Sequence, residues 1–283
     1  MFNAGLILEG GGMRGVYVAG VLDFLLENEI FFANNYGVSA GVCHACSYLS
    51  RQHGRAAKTV LDYAGDPRYA SFRSFIKTGD FFGVKMVYDD VPNIYLPFDY
   101  SSFAAKPERL TAVLTDCETG KAVYKDVDEL RHGIDIIRAS SSLPLLSRMV
   151  RLDDGRDYLD GGIADSVPLA HSISEGNRKN LVILTQHRGY QKSKNSMMPL
   201  VRAKYRKYPA LVQAIETRHL RYNEALALIE DEDREGHAFV IQPKAPVEIG
   251  RLEKDAAKLE ALYRQGCEDT AEVIGEIKSF FEA

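Results

Sequence analysis

"GLILEGGGMRGVYVAG", residues 5–20, joins a short apolar run, three successive glycines (Gly10, Gly11 and Gly12) and a helical pattern. The apolar run is too short for a core helix and reads as a buried strand over 4–9. Val18, Val21, Leu22, Leu25 and Leu26 then share one stripe of a helix over 15–30. A strand that stops at glycines and restarts as a helix leaves backbone N–H groups facing outward. Glycine also removes the side chain that would hold a ligand oxygen at a distance. Two ligands suit such a loop: a phosphate, or the oxyanion of an acyl-transfer intermediate.

Outward from this stretch, strand and helix patterns alternate. Strands are expected at 34–39, 109–116, 121–125, 157–160, 180–186 and 237–242. Helices are expected at 40–53, 133–142, 199–230, 250–265 and 267–282. The alternation predicts an α/β fold with three layers, α/β/α, around a mostly parallel central sheet. One domain over 1–283 is expected, with an aromatic-rich insertion at about 69–103 and a helical C-terminal part at about 199–283.

Of the 283 residues, 46% are hydrophobic and 26% charged, an ordinary globular balance, and the net charge of −4 argues against a nucleic-acid binder. No run of 18 apolar residues predicts a membrane-spanning helix, and no basic region precedes the first apolar run as in a signal peptide. Four cysteines, Cys43, Cys46, Cys117 and Cys267, make no disulfide framework, so a cytoplasmic setting is expected. The sequence carries no reading of oligomeric state.

Three motifs sit at strand ends. Gly10, Gly12 and Gly15 fit the dinucleotide spacing G-x-G-x-x-G, but the next strand closes on Ser39 where that motif needs an acid. "GVSAG" (37–41) fits the nucleophile elbow, a serine on a sharp strand-to-helix turn with Gly37 and Gly41 giving it room. By chain order His171, His187, His219 and His237 are candidate bases for Ser39, but none lies in a convincing loop after a strand. "YLDGGIADSVPL" (158–169) offers a base of another kind: Asp160, held by Gly161 and Gly162, can take a serine proton directly. Asp154–Gly155, just upstream, reads as a hairpin tip.

Together "EGGGMRG", "GVSAG" and "DGG" resemble the patatin-like phospholipase family in order and spacing. "ASSSLPLL" (139–146) resembles the family's approach to its third motif, and the C-terminal half looks like one bacterial branch. The resemblance implies a Ser39–Asp160 catalytic dyad and an oxyanion hole from the amides of Gly11, Gly12 and Met13. It places Arg14 at the family's basic position and Glu9 where an Asp is common. It further implies a lipid acyl hydrolase of phospholipase A or lysophospholipase type, with no cofactor and no metal. "DDG" (153–155) and "DED" (231–233) lack calcium-loop spacing. The alternatives are a general carboxylesterase or thioesterase with the same dyad, or a nucleotide-binding protein using the glycine loop.

Ten aromatics fall within 69–103, either a satellite core or an acyl pocket. Nine Lys or Arg against one Glu within 188–221 suit either a solvated helix face or peripheral contact with a membrane surface. Cys43 and Cys46 have C-x-x-C spacing on an expected buried helix, where small apolar packing is the expected role.

Overall fold

A computed structural model describes residues 1–282. Strand β1 (Phe2–Leu8) enters a 3-10 turn, Gly12–Gly15, and helix α1 (Val16–Glu27); β2 (Phe32–Val38) enters α2 (Ala40–Leu49) through Ser39. Next come α3 (Arg55–Leu61), α4 (Phe72–Thr78), a wide π-helical segment, Met86–Tyr95, and α5 (Tyr100–Ala104). The chain returns to the sheet as β3 (Arg109–Asp116) and β4 (Ala122–Asp126), then runs through α6 (Ile134–Ser140), β5 (Val150–Arg151) and β6 (Asp157–Asp160). The last part holds α7 (Leu169–Ser174), β7 (Asn180–Ile183), α8 (Met198–Lys204), α9 (Pro209–Glu235), β8 (Ala238–Ile241) and α10 (Ala256–Glu282).

Strands β3, β2, β1, β7 and β8 pair in that order, all parallel, while β4, β5 and β6 are antiparallel. Successive side chains of a strand point to opposite faces. Ala4, Leu6 and Leu8 of β1 accordingly join one core with residues of α1, α2 and α10. Ile7 joins another with Leu169 of α7 and Tyr222 and Ile229 of α9. The sheet is thus covered on both faces, as its near-continuous apolar strands require.

The edge of β3 positions the site. Leu114 pairs with Val123 of β4 and with Asp160 of β6, which therefore lie on its two opposite edges. Val113 pairs with Tyr124 of β4 and with Val38 of β2. β2 and β6 therefore lie end to end along one edge of β3, with Val38 and Asp160 at successive positions. Two chain segments over a hundred residues apart meet where both strands stop.

Two helical boundaries differ from expectation. The single helix expected over 199–230 is two, because Pro209 keeps Tyr208 out of helical conformation (φ −124°, ψ 70°). The two helices expected over 250–265 and 267–282 are one, α10. Gly266 is a notch in it, not a break: a β-carbon there would stand 2.3 Å from the Tyr17 carbonyl of α1. Gly20 of α1 returns the contact, since its β-carbon would stand 2.1 Å from the Tyr263 carbonyl. The helices touch backbone to backbone at this crossing. Among the described residues no helix is long and apolar enough to cross a membrane.

Candidate active site

Ser39 ends β2 with φ 54° and ψ −124°, a left-handed conformation that costs a non-glycine residue about 1–3 kcal/mol. The surroundings hold it there. Its N–H donates to Ser140 Oγ (3.0 Å), and Ser140 Oγ donates to the Val113 carbonyl (2.7 Å). The Asp160 N–H donates to the Ser142 carbonyl (2.8 Å). The serine run at the end of α6 therefore ties the elbow to the end of β6, a bracing role its sequence does not announce. Gly37 sits on β2, Gly41 in the first turn of α2, and Gly161 and Gly162 form a 3-10 turn after Asp160. Asp154–Gly155 forms the expected hairpin tip, with Gly155 at φ 76°.

Asp160 is 3% exposed. Its Oδ1 accepts from the Gly162 N–H (2.8 Å), and its Oδ2 is buried without a partner. Burial raises its proton affinity; Arg218, the Ser39 hydroxyl, the Gly162 N–H and Arg251 pull the other way. The Ser39 hydroxyl is near enough to act on the carboxyl, yet Ser39 Oγ makes no hydrogen bond of normal length. A buried carboxylate oxygen without a normal-length partner therefore lies near the Ser39 hydroxyl.

The glycine loop closes the site from β1. A β-carbon at Gly10 would stand 2.8 Å from Ser39 Cβ, so glycine lets the loop lie directly against the elbow. Gly12 has φ 59°, and its β-carbon would stand 2.6 Å from the Arg251 carbonyl. The N–H groups of Gly11 and Gly12 make no hydrogen bond among the described residues. The Met13 N–H, expected as a third oxyanion donor, instead donates to the Arg251 carbonyl (3.1 Å) and is not free. Gly15 leads directly into α1. Glu9 is a brace: it accepts from the Thr185 N–H (2.6 Å), the Thr185 hydroxyl (2.9 Å) and the Tyr222 hydroxyl (2.7 Å). Arg14 Nε donates to Thr185 Oγ1 (3.3 Å).

Two cavities meet at Ser39. One, of about 150 Å³, runs along α2 past Ala40, Cys43, His44, Cys46 and Ser47 and is walled by Tyr69, Phe82, Tyr88, Phe98 and Tyr100. Part of the aromatic insertion is therefore cavity wall, and Cys43 and Cys46 line the cavity as free thiols. The other, of about 20 Å³, is polar and holds Glu9, Arg14, Asp160, Lys192, Arg218 and Arg251.

His171, His187, His219 and His237 line neither cavity. His171 stacks on Tyr124, His219 Nδ1 lies 3.1 Å from the Glu216 carbonyl, and His237 faces Glu232 and Glu235. His44 also lines the larger cavity, where burial pushes its imidazole down to about 4, but it is absent from the polar cavity that holds Asp160. Glu232, Glu235 and His237 have metal-ligand spacing but are largely exposed and lie outside both cavities.

A family model described as "Patatin-like phospholipase" matches residues 6–172, more than half of the chain, including all three motifs. The chain belongs to the patatin-like phospholipase family. Beyond its patatin-like part, residues 208–282 match a second family model, a domain of unknown function, DUF6363. Similar to this chain is the uncharacterized protein YjjU of Escherichia coli strain K12, 26% identical over 193 residues covering 64% of this chain. That match spans about half of YjjU, 51% of its length. The patatin-like fold of this chain also resembles that of VipD from Legionella pneumophila. The TM-score is 0.50 at 12% identity, over 98% of this chain and 67% of VipD.

Proposed function

We propose that this protein is a lipid acyl hydrolase, of phospholipase A or lysophospholipase type, that cleaves carboxylic esters with a Ser39–Asp160 dyad. One observation carries the reading: Ser39 lines both an apolar and a polar cavity, and in the polar one it is joined by Asp160, whose Oδ2 is buried without a normal partner. Ser39 Oγ attacks the ester carbonyl carbon while Asp160 Oδ2 takes its proton. The carbonyl oxygen becomes an oxyanion facing the Gly11 and Gly12 amides, each such donor contributing about 3 kcal/mol in comparable sites. The tetrahedral adduct collapses, the alkoxide leaves with the proton from Asp160, and Ser39 is acylated. Water repeats the sequence, with Asp160 as base, and releases the fatty acid. Labelling by a fluorophosphonate probe tests this directly. The wild type should label and Ser39→Ala should not; absence of labelling in the wild type would refute a reactive serine.

The larger cavity sets an acyl chain length. Ser39 to Ser47 along α2 spans about 12 Å at about 1.5 Å per residue. An extended chain advances about 1.25 Å per carbon, from C–C bonds of about 1.52 Å and angles near 111°. A chain of about ten carbons would reach from Ser39 to Arg55, whose Nη1 donates to Ser47 Oγ (3.2 Å) and whose guanidinium lies over the Phe98 ring. Each buried methylene contributes about 0.8 kcal/mol, roughly fourfold in kcat/KM. Across a p-nitrophenyl ester series, kcat/KM should climb to about C10 and then level or fall. A continued climb to C18 would contradict the ruler.

Peripheral membrane contact fits α4. Phe72 and Ile76 are 64% and 82% exposed, Arg73 and Lys77 follow each of them by one residue, and no residue of the helix is fully buried. An apolar pair flanked by cations suits an anionic lipid surface. The Phe72→Asp/Ile76→Asp double variant should bind phosphatidylglycerol vesicles at least tenfold more weakly in sedimentation; undiminished binding would rule α4 out.

A further inference from the structure

The polar cavity carries a charge pattern that a Ser–Asp dyad does not need. Arg14, Lys192, Arg218 and Arg251 converge on it against two carboxylates, Glu9 and Asp160. The four cations come from four separate segments: the glycine loop, the loop after β7, helix α9, and the loop between β8 and α10. Among the described residues none of the four is in an ion pair, while most other arginines of the chain are. Glu9 spends its oxygens on Thr185 and Tyr222. Arg218 Nε is buried with no partner, and its Nη2 reaches only Ser166 Oγ at 3.4 Å. Lys192 Nζ sits 4.0 Å over the Tyr222 ring, and Arg251 makes no side-chain hydrogen bond. A β-carbon at Gly162 would lie 2.9 Å from Arg218 Nη2 and 3.0 Å from Asp160 Oδ1, so the guanidinium stands directly above the DGG turn.

Crowding four cations into a desolvated cavity is costly unless an anion arrives to share them. The strain shows in Lys192, pushed down to about 7 by burial and by repulsion from Arg218 and Arg251, and in Arg218, pushed down to about 10 by burial and by Arg251. Dyad chemistry explains one anion here, the transient oxyanion, and Gly11 and Gly12 already face it. The remaining positive charge needs a resident group on the substrate, and the cavity, of about 20 Å³, has room for about one water and must widen to take it.

We propose that Arg14, Lys192, Arg218 and Arg251 form a phosphate subsite, and that the substrate is a lipid whose head group is a phosphate monoester, held on the leaving-group side of Ser39. The proposal rests on the hydrolase reading and adds the head group to it. With Lys192 protonated, as a bound anion would favour, four cations against two carboxylates leave a surplus of two charges, matching the −1.5 to −2 of a phosphate monoester near neutral pH. A zwitterionic choline ester brings a single negative charge and a bulky cation into the same positive wall. The subsite also gives the DUF6363-matched segment, residues 208–282, a job: it supplies Arg218 and Arg251. Arg251 acts twice, since its carbonyl holds the Met13 amide while its side chain enters the cavity.

The test compares 1-decanoyl lysophosphatidic acid, 1-decanoyl lysophosphatidylcholine and neutral p-nitrophenyl decanoate on the full chain, as wild type, Lys192→Gln and Arg251→Gln. Both side chains are only half-buried, and circular dichroism checks the fold. Wild-type kcat/KM should favour the phosphate monoester over the choline ester at least tenfold. Each variant should shrink that ratio to about threefold or less, chiefly through KM, and lose at least ten times more on the monoester than on the neutral ester. Inorganic phosphate should compete with the monoester in the wild type and fail to do so in Arg251→Gln. Equal losses on all three esters would overturn the proposal, because the cations would then act through Asp160. So would a wild type without head-group preference. If the wild type hydrolyses none of the esters, the hydrolase reading falls. Calorimetry then decides the subsite alone: phosphate binding by the wild type that Arg251→Gln loses upholds it, and no binding overturns it.

Discussion

Ser39→Gly is expected to abolish ester turnover and to make the protein more stable. The two effects have separate causes in one residue. Turnover is lost because the attacking oxygen is gone; removal of a nucleophile that works as a unit with its base costs about 10⁴-fold or more. Stability rises because glycine adopts φ 54°, ψ −124° without the steric cost borne by serine. Relief of about 1–3 kcal/mol, less about 0.5–1 kcal/mol for the added chain entropy of glycine, leaves a net gain of about 1 kcal/mol. In a chain of this size that is a rise of about 2 °C in Tm. Little hydrogen bonding offsets the gain, since Ser39 Oγ makes no hydrogen bond of normal length and the supporting N–H to Ser140 remains. Ser39→Ala is the control: equally inactive, but without the gain, because its β-carbon keeps the clash. Scanning calorimetry on the three proteins reads the difference. A Ser39→Ala protein with substantial turnover, or a Ser39→Gly protein no more stable than Ser39→Ala, would contradict the assignment.

Asp160→Asn should lower kcat on a neutral ester by about 10³–10⁴-fold, the scale seen when a dyad or triad acid loses its charge. The amide keeps an oxygen for the Gly162 N–H, so the turn after β6 is retained. The pH profile supplies the second readout. A general base works only when ionised, so activity falls as pH drops through its pKa. Burial raises that pKa above the ordinary value of about 3.9, more than Arg218 and the other neighbours lower it. The acid limb of kcat/KM should therefore lie above the ordinary carboxylate range and vanish in Asp160→Asn. His44 titrates at about 4 and lines the other cavity, so a His44→Gln control should keep the limb in place. A neutral ester keeps substrate ionisation out of the profile. Full activity in Asp160→Asn would hand the base role to another group.

Much of this arrangement is legible in the chain because its signals are local. A strand ending in Gly10–Gly12, a serine between Gly37 and Gly41, and Asp160 before two glycines each advertise a backbone that must turn sharply or approach closely. What stays illegible is set by contacts between distant segments. Lys192 and Arg218 look like members of a basic, solvated stretch, and only the packing of α9 over the DGG turn brings Arg218 to Asp160. Ser140 carries no motif, yet it bridges the Ser39 amide and Val113. Met13 belongs to the glycine loop by sequence, but a carbonyl more than two hundred residues later claims its N–H. Gly266 looks like a helix breaker because glycine is a poor helix former, and the close crossing with α1 overrides that preference.

That crossing bears on how the protein can be cut. Gly20 and Gly266 let α10 lie flush on α1, and α10 in turn anchors the preceding loop whose Arg251 pins the glycine turn. A fragment trimmed to residues 6–172 would inherit Ser39 and Asp160 but leave the β1 edge that pairs with β7 bare and the Met13 amide unclaimed. Transplanting the patatin-like portion alone would carry Ser39 and Asp160 without their scaffolding, so a minimal version of this protein must keep its tail.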